Sequence, residues 1–349
     1  MNKKFESHNL DFLRAIAVLL VFGRHLYGQL IGDFDGIFRT QLFGVLGVWF
    51  FFVHTSIVLM FSIETQAKTR QSTELYLAFL IRRTFRIFPL TAFTIAIVFC
   101  VGSAWKGNPI ASLDELSVPV LIANIFLVQN IFQIRDVIGP LWSLPIEFQM
   151  YLFLPFLWLI ATRSGWRLLA FVIWPLAVVL GLAVSQTASR GALGVIVYAP
   201  CFIPGVLCYS LWRKSNRYLP FIALPILLTI LLITYLLLGR LSKTGGAWIV
   251  CMALGTALPW IREMQSELLR RACKVIAKYS FGIYLLHDIC IPISIDACGK
   301  NAHWTVVAFT SILSSAAFAY FAYHAIEEPF IQLGAKLLAR INSAKLSNA

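Results

Sequence analysis

Charge is what this sequence has least of. Aspartate, glutamate, lysine and arginine make up 13% of its 349 residues, roughly half the share of an average soluble domain. Acidic residues are the scarcer, 16 against 29 basic ones. No polar stretch is long enough to form a separate soluble domain, and no internal repeat or low-complexity tract interrupts the chain. The seven cysteines are scattered, with no CxxC pair and no Cys/His cluster. That spacing predicts neither a metal site nor a disulfide framework. What fills the chain instead is apolar side chain: 59% of residues are hydrophobic and the mean hydropathy is +0.79. A water-soluble fold has too little interior for so much, so the fold class is an all-α polytopic membrane protein.

Ten hydrophobic stretches approach bilayer length, at about 10–31, 42–62, 87–104, 140–161, 168–185, 194–212, 219–239, 246–261, 277–296 and 304–326. They predict about ten transmembrane helices in one domain over residues 10–331, flanked by short segments at 1–9 and 332–349. A further stretch at 118–132 is shorter and contains Asn124, Gln129 and Asn130. It reads as a partial or re-entrant segment, and counting it as a span would invert everything after it. Lys3 and Lys4 ahead of an apolar run resemble a signal peptide. The run is too long, however, carries Arg14, Arg24 and His25, and has no small-residue cleavage site.

Basic residues orient the spans. With the N-terminus inside, the inner segments hold 20 of the 29 Lys and Arg; the outer loops hold seven, Arg39, Lys106, Arg135, Arg190, Arg240, Lys243 and Lys300. Both termini are therefore expected in the cytoplasm. The net charge of +13 mostly records this bias. It suits anionic headgroups and a lipid bilayer, and gives no reason to expect a nucleic-acid partner.

Polar residues inside the spans carry the chemistry. Arg14 and His25 are eleven residues apart on the first helix, which is three turns plus ~20° and so one stripe, ~16 Å from end to end. On the inward-running fourth helix, Glu147 lies ~10 Å below the outer edge of the core, close to the level of His25. His287 falls nearer the midplane, with Tyr284 one turn away on the same face. His54 lies in the inner half of the second helix. Arg82, Arg83 and Arg86 precede Pro89 at the inner end of the third, where Arg83 and Arg86 can present adjacent guanidinium forks suited to phosphate oxygens. Intramembrane charges are costly and usually kept for function. Each also has a plainer reading. The three arginines would serve as topology anchors, His25 as a packing histidine, Arg14 as a snorkelling side chain and Glu147 as half of a structural ion pair. Arg24 faces elsewhere on the helix. His324, Glu327 and Glu328 read better as a structural ion-pair group.

Taken in order, these residues resemble the acyltransferase-3 family of membrane acyltransferases. Five motifs carry the likeness: Arg14-x10-His25; Arg83-Thr84-Phe85-Arg86 ahead of Pro89; Trp142-Ser143-Leu144-Pro145-Ile146-Glu147; Ser280 through Tyr284-Leu285-Leu286-His287; and Glu327-Glu328-Pro329-Phe330. The resemblance implies transfer of an acyl group, usually acetyl, from cytoplasmic acetyl-CoA or another acyl-CoA co-substrate to a hydroxyl of an extracytoplasmic carbohydrate, with no bound cofactor and in the cell (inner) membrane. It implies His25 as catalytic base or transient acyl carrier, oriented by Glu147. Arg14, Arg83 and Arg86 would hold the donor; His54, Trp142, Ser143, Tyr284 and His287 would line the cavity.

Two departures stand out. Where many members read Phe-Phe-x-Leu-Ser-Gly-Phe, this chain has Phe51-Phe52-Val53-His54-Thr55-Ser56-Ile57, which bears on donor-pocket shape and acyl size. No SGNH-type domain follows the membrane segment, so the expectation is either direct acylation or transfer to a separate extracytoplasmic acyl-transfer protein. Charges at several depths also fit a different class, a transporter or flippase for a glycan or small anionic metabolite.

Overall fold

The computed structural model describes residues 5–32, 39–70, 72–104, 117–187, 191–239, 241–299 and 302–346. Lys3, Lys4, Lys106, Arg190, Arg240 and Lys300, which contribute to the charge bias, lie outside the described residues. The helices are α1 (His8–Ile31), α2 (Gln41–Ala67), α3 (Ser72–Ala104), α4 (Val118–Ile125), α5 (Leu144–Arg163), α6 (Gly165–Leu168), α7 (Trp174–Ser185), α8 (Gly194–Trp212), α9 (Ala223–Leu238), α10 (Lys243–Ala257), α11 (Glu267–Cys298), α12 (Trp304–Ala322) and α13 (Glu328–Leu346). A 3-10 turn, Gly139–Ser143, leads into α5, and a π-turn, Tyr323–Glu327, joins α12 to α13. Among the described residues there is no strand.

Each of the ten apolar stretches falls on a helix. Seven helical runs among the described residues are long and apolar enough to cross a membrane, the longest being Trp304–Ile341. The first, seventh and eighth stretches form helices that miss that standard for visible reasons. α1 carries Asp11, Arg14 and Arg24, while α9 and α10 have only 16 and 15 residues.

Three helices extend beyond their apolar stretches. α3 begins at Ser72 rather than near residue 87, so Arg82, Arg83 and Arg86 lie within a helix and not at its start. Nothing in 72–81 breaks a helix, and Leu75, Ala78 and Phe79 are buried along one side. α11 likewise starts at Glu267, and the last helix runs on through Pro329. A proline lacks an N–H and crowds the carbonyl four residues back. The π-turn directly before it re-spaces the helix where that carbonyl lies.

The described chain separates into two compact units, Met1–Thr65 with Leu152–Ser280, and Gln66–Tyr151 with Phe281–Ala349. In the first, α8 packs against α7 and α10, and α9 against α10. Its core is aromatic: Trp49 stacks on Tyr198 at 5.2 Å and Phe52 on Phe202 at 4.2 Å, while Trp49 Nε1 donates to Tyr235 Oη at 2.9 Å. Glycines let backbones meet. A methyl on Gly47 would lie 2.5 Å from the Ala17 carbonyl of α1, and one on Gly205 of α8 would lie 2.4 Å from the Val53 carbonyl of α2. Small residues at such crossings are how helices gain dispersion energy in lipid, which gives no hydrophobic drive between them.

In the second unit, α3 packs against α13, the π-turn and α4. Gly334 sits over Phe85, and Gly282 of α11 sits over Ala319 of α12. Ser294 Oγ and Ser314 Oγ share a hydrogen bond of 3.0 Å between α11 and α12, as do Cys298 Sγ and Thr310 Oγ1 at 3.3 Å. His324 pairs with Glu328 one turn on, at 3.1 Å, and Glu327 is buried.

Candidate functional site

The polar segment after α4 forms an irregular hairpin rather than a span. Asn124 and Gln129 bond backbone of the hairpin and of the turn that follows it, and Asn130 bonds α5. Asn124 Nδ2 donates to the carbonyls of Val120 and Arg135 at 2.9 and 3.0 Å, and its Oδ1 accepts the Val137 N–H at 3.0 Å. Gln129 Nε2 donates to Asp136 Oδ1 at 3.1 Å and to the Leu141 carbonyl at 3.3 Å, while Asn130 and Gln149 exchange amide hydrogen bonds. Two residues without glycine's freedom, Leu127 and Gln133, take φ of 55° and 54° to close the chain back on itself. Irregular backbone of this kind needs its polar groups satisfied, and the side chains of Asn124 and Gln129 do so. Burial pushes the Asp136 carboxyl above its ordinary range, partly offset by the Gln129 donor.

That hairpin delivers the chain to Gly139–Ser143, where Pro140 sets the first turn and α5 begins at once. The turn is tied to α11 twice. The Gly139 N–H donates to Asp288 Oδ2 at 3.0 Å, and Tyr284 Oη donates to the Pro140 carbonyl at 3.0 Å. Tyr284 has one proton, so the 2.7 Å contact with Ser143 makes the serine hydroxyl its donor. His287 follows one turn later. Its Nδ1 meets the Ile283 carbonyl at 3.0 Å, which selects the tautomer with the lone pair on Nε2.

Glu147 occupies the first turn of α5, where the helix dipole favours a carboxylate. It accepts a short hydrogen bond from Tyr151 Oη one turn on. Arg83 and Arg86 of α3 act electrostatically on Tyr151, and Arg83 on Glu147 as well. Arg83 stacks over Phe79 at 5.9 Å, and its Nε is buried with no hydrogen-bond acceptor among the described residues. Two guanidinium groups one turn apart, one with an unused buried donor, have the chemistry to pair with an oxyanion.

In the first unit, Arg14 Nε donates to the buried Ser280 Oγ at 2.6 Å, which passes its own proton to the Ala277 carbonyl at 2.9 Å. His25 is half-buried on the same stripe of α1, and His54 is buried in α2. Arg24 lays its aliphatic stem over Gly44, away from that stripe. Ser56 stands at the position of the absent family glycine, and Gly205 of α8 faces it, so that a methyl there would lie 2.5 Å from Ser56 Cβ.

The structure thus joins Ser143 to Tyr284, Glu147 to Tyr151 and Arg83, and Arg14 to Ser280. His25, Arg14 and His54 belong to the first unit; Arg83, Arg86, Trp142, Ser143, Glu147, Tyr284 and His287 to the second. Asp288 is a partner that sequence reasoning passed over, and Tyr151 one that continued a motif without being given a role. Both stand beside motif residues, Tyr151 one turn from Glu147 and Asp288 next to His287, so helical spacing was the available signal.

Comparison with known proteins places the chain. The model of the acyltransferase-3 family, described as an acyltransferase domain, matches residues 7–324. Nodulation protein 10 of Rhizobium leguminosarum bv. viciae is 25% identical over 366 residues, covering 95% of each chain. Proteins of Staphylococcus aureus strains COL and MSSA476 that carry an O-acetyltransferase name are 25% identical over 368 residues, 94% of this chain but 58% of theirs. The chain therefore spans less than two thirds of the length of these staphylococcal relatives. No solved structure matches it. The chain belongs to the acyltransferase-3 family. It is a multi-pass membrane acyltransferase, which implies an acyl donor and an acceptor.

Proposed function

We propose that the protein moves an acetyl group from cytoplasmic acetyl-CoA to a hydroxyl of an extracytoplasmic carbohydrate, such as an exopolysaccharide, O-antigen or other surface glycan, within the cell (inner) membrane and with both termini cytoplasmic. The observation that carries this reading is the Arg83–Arg86 pair with its unused buried donor beside the Glu147–Tyr151 couple. Phosphates of a coenzyme A donor fit that pair, whereas a neutral sugar or a simple permeation path has no call for it. The O-acetyltransferase name of the staphylococcal relatives agrees with acetyl as the group moved.

The roles follow the chemistry. Arg83, Arg86 and Arg14 hold donor charge. His25 takes the proton of the acceptor hydroxyl as its oxygen attacks the thioester carbonyl, the C–S bond breaks, and coenzyme A leaves as its thiol once the proton returns. A histidine titrates near working pH and suits this exchange. Glu147 holds Tyr151 and balances the arginines. His54, Trp142, Ser143, Tyr284 and His287 shape the cavity walls of their own units.

The test is transfer from radiolabelled acetyl-CoA into envelope carbohydrate, with wild type, His25→Ala and Arg83→Lys at matched membrane levels. Label with wild type, none with His25→Ala and a raised acetyl-CoA requirement with Arg83→Lys are the expected results. Equal label with His25→Ala would remove that residue from the chemistry. Glycan crossing the membrane without any acyl donor would replace the reading with transport.

A further inference from the structure

One carboxylate ties three segments of the first unit together, and the first helix starts from it. Glu263, between α10 and α11, accepts from Ser7 Oγ at 2.8 Å and from Arg217 Nη1 at 2.6 Å through one oxygen, and from the Asn9 N–H at 3.0 Å through the other. Ser7 is the N-cap of α1 and also accepts the Leu10 N–H at 3.4 Å. Two of the helix's orphan amides are thus satisfied, Asn9 by the carboxylate and Leu10 by Ser7, and a carboxylate sits where the helix dipole favours one.

Asn9 completes the attachment. It is fully buried at 0% exposure, yet its amide is used at both ends. Nδ2 donates to the carbonyls of Ile261 and Arg262 at 3.4 and 3.0 Å, and Oδ1 accepts the Met264 N–H at 3.1 Å. Phe5 stacks on Phe61 at 3.6 Å and Arg217 lies 4.3 Å over Trp212. Residues 217–219 pair with 260–262 through the Tyr218, Leu219 and Arg262 N–H groups. The loop that holds the start of α1 also opens α11, and the two helices meet again at Arg14 and Ser280.

We infer that Glu263 and Asn9 are positioning residues that fix the depth and rotation of α1, and hence of Arg14 and His25, for acyl transfer. The role given to those two residues rests on the function proposed above. A slip of one residue would move α1 by ~1.5 Å and turn it by ~100°. Displacement of about 1 Å at a reacting group can cost roughly a hundredfold in rate. Neither Glu263 nor Asn9 needs to touch a substrate for this.

The test compares wild type, Glu263→Gln, Asn9→Ala, Ser280→Ala and the Glu263→Gln/Ser280→Ala double variant in proteoliposomes. Acetyl transfer is normalised to folded protein, and hydrogen exchange is followed over residues 5–14. Glu263→Gln and Asn9→Ala are each expected to speed exchange at the amides of Asn9 and Leu10. They are also expected to lower kcat by roughly 10- to 100-fold, with a smaller rise in KM for acetyl-CoA because Arg14 moves with α1 while Arg83 and Arg86 still hold the donor. Adding Ser280→Ala to Glu263→Gln should cost far less than it does alone, because both act on one register. Two independent folding defects would instead add. Unchanged exchange in both single variants overturns the attachment, and full kcat despite faster exchange overturns the positioning role. Wild type without acetyl transfer, but with the exchange response intact, overturns the function reading and its catalytic consequence while the attachment stands.

Discussion

Removing the Tyr284 hydroxyl should cost much more than removing its partner, Ser143. The tyrosine oxygen gives its proton to the Pro140 carbonyl at 3.0 Å and receives one from Ser143 at 2.7 Å, with Ser143 and Tyr284 only 3% and 6% exposed. Ser143→Ala deletes one hydrogen bond and leaves Tyr284 still satisfied by Pro140, so ~0.5–1.5 kcal/mol is lost. Tyr284→Phe deletes both bonds and leaves the Ser143 hydroxyl without its tyrosine acceptor. Two bonds together with the penalty for stranded polar groups come to ~2–5 kcal/mol, with the upper end favoured where no water can reach. In the Tyr284→Phe background, Ser143→Ala should cost nothing or restore stability, since it removes a hydroxyl that has lost its acceptor. Unfolding in lipid nanodiscs by heat or by a denaturing-detergent titration measures all three variants. If Tyr284→Phe falls within about 0.5 kcal/mol of Ser143→Ala, the paired-hydroxyl account is wrong.

Gly205→Ala would place a methyl 2.4 Å from the Val53 carbonyl and 2.5 Å from Ser56 Cβ, an overpacking expected to cost ~1–3 kcal/mol. Gly23→Ala meets nothing within 4 Å and should gain ~0.5–1 kcal/mol of helix stability; the same unfolding assay separates the two. The hairpin after α4 should weaken as pH rises. The Asp136 pKa is raised above 3.8 in the fold by burial, so the folded state holds its proton longer than the unfolded chain. The stabilisation this proton linkage provides is full below the unfolded pKa and is lost as pH rises through the folded one. Hydrogen exchange over residues 126–138 against pH reads this directly, and Asp136→Asn should flatten the profile.

The sequence by itself determined the class of the protein and the placement of its apolar helices. Long apolar runs have few stable forms other than membrane helices, and ten such runs each became a helix. Motif spacing marked Arg14 and His25 as one stripe, Arg83 and Arg86 as neighbours, and Tyr284 and His287 as one face, because 3.6 residues per turn is local geometry. Helix ends were less legible. α3 and α11 run well beyond their apolar stretches because amphipathic turns continue a helix without raising hydropathy. The polar hairpin after α4 was visible as a break in the apolar pattern.

Which polar group satisfies which was a matter for the tertiary structure. Asn124, Gln129 and Asn130 marked only a partial or re-entrant segment; the fold shows Asn124 and Gln129 holding irregular backbone and Asn130 bonding Gln149 of α5. Gly205 of another helix meets Ser56 and the Val53 carbonyl closely enough that a methyl there would clash. Glu263 and Asn9, more than 250 residues apart in the chain, carried no local pattern to find. Hydrophobic length and helical period are properties of neighbours in sequence. Hydrogen-bond partners and backbone crossings depend on distant segments meeting, and in a low-dielectric interior a polar group left unpaired by such a meeting is costly.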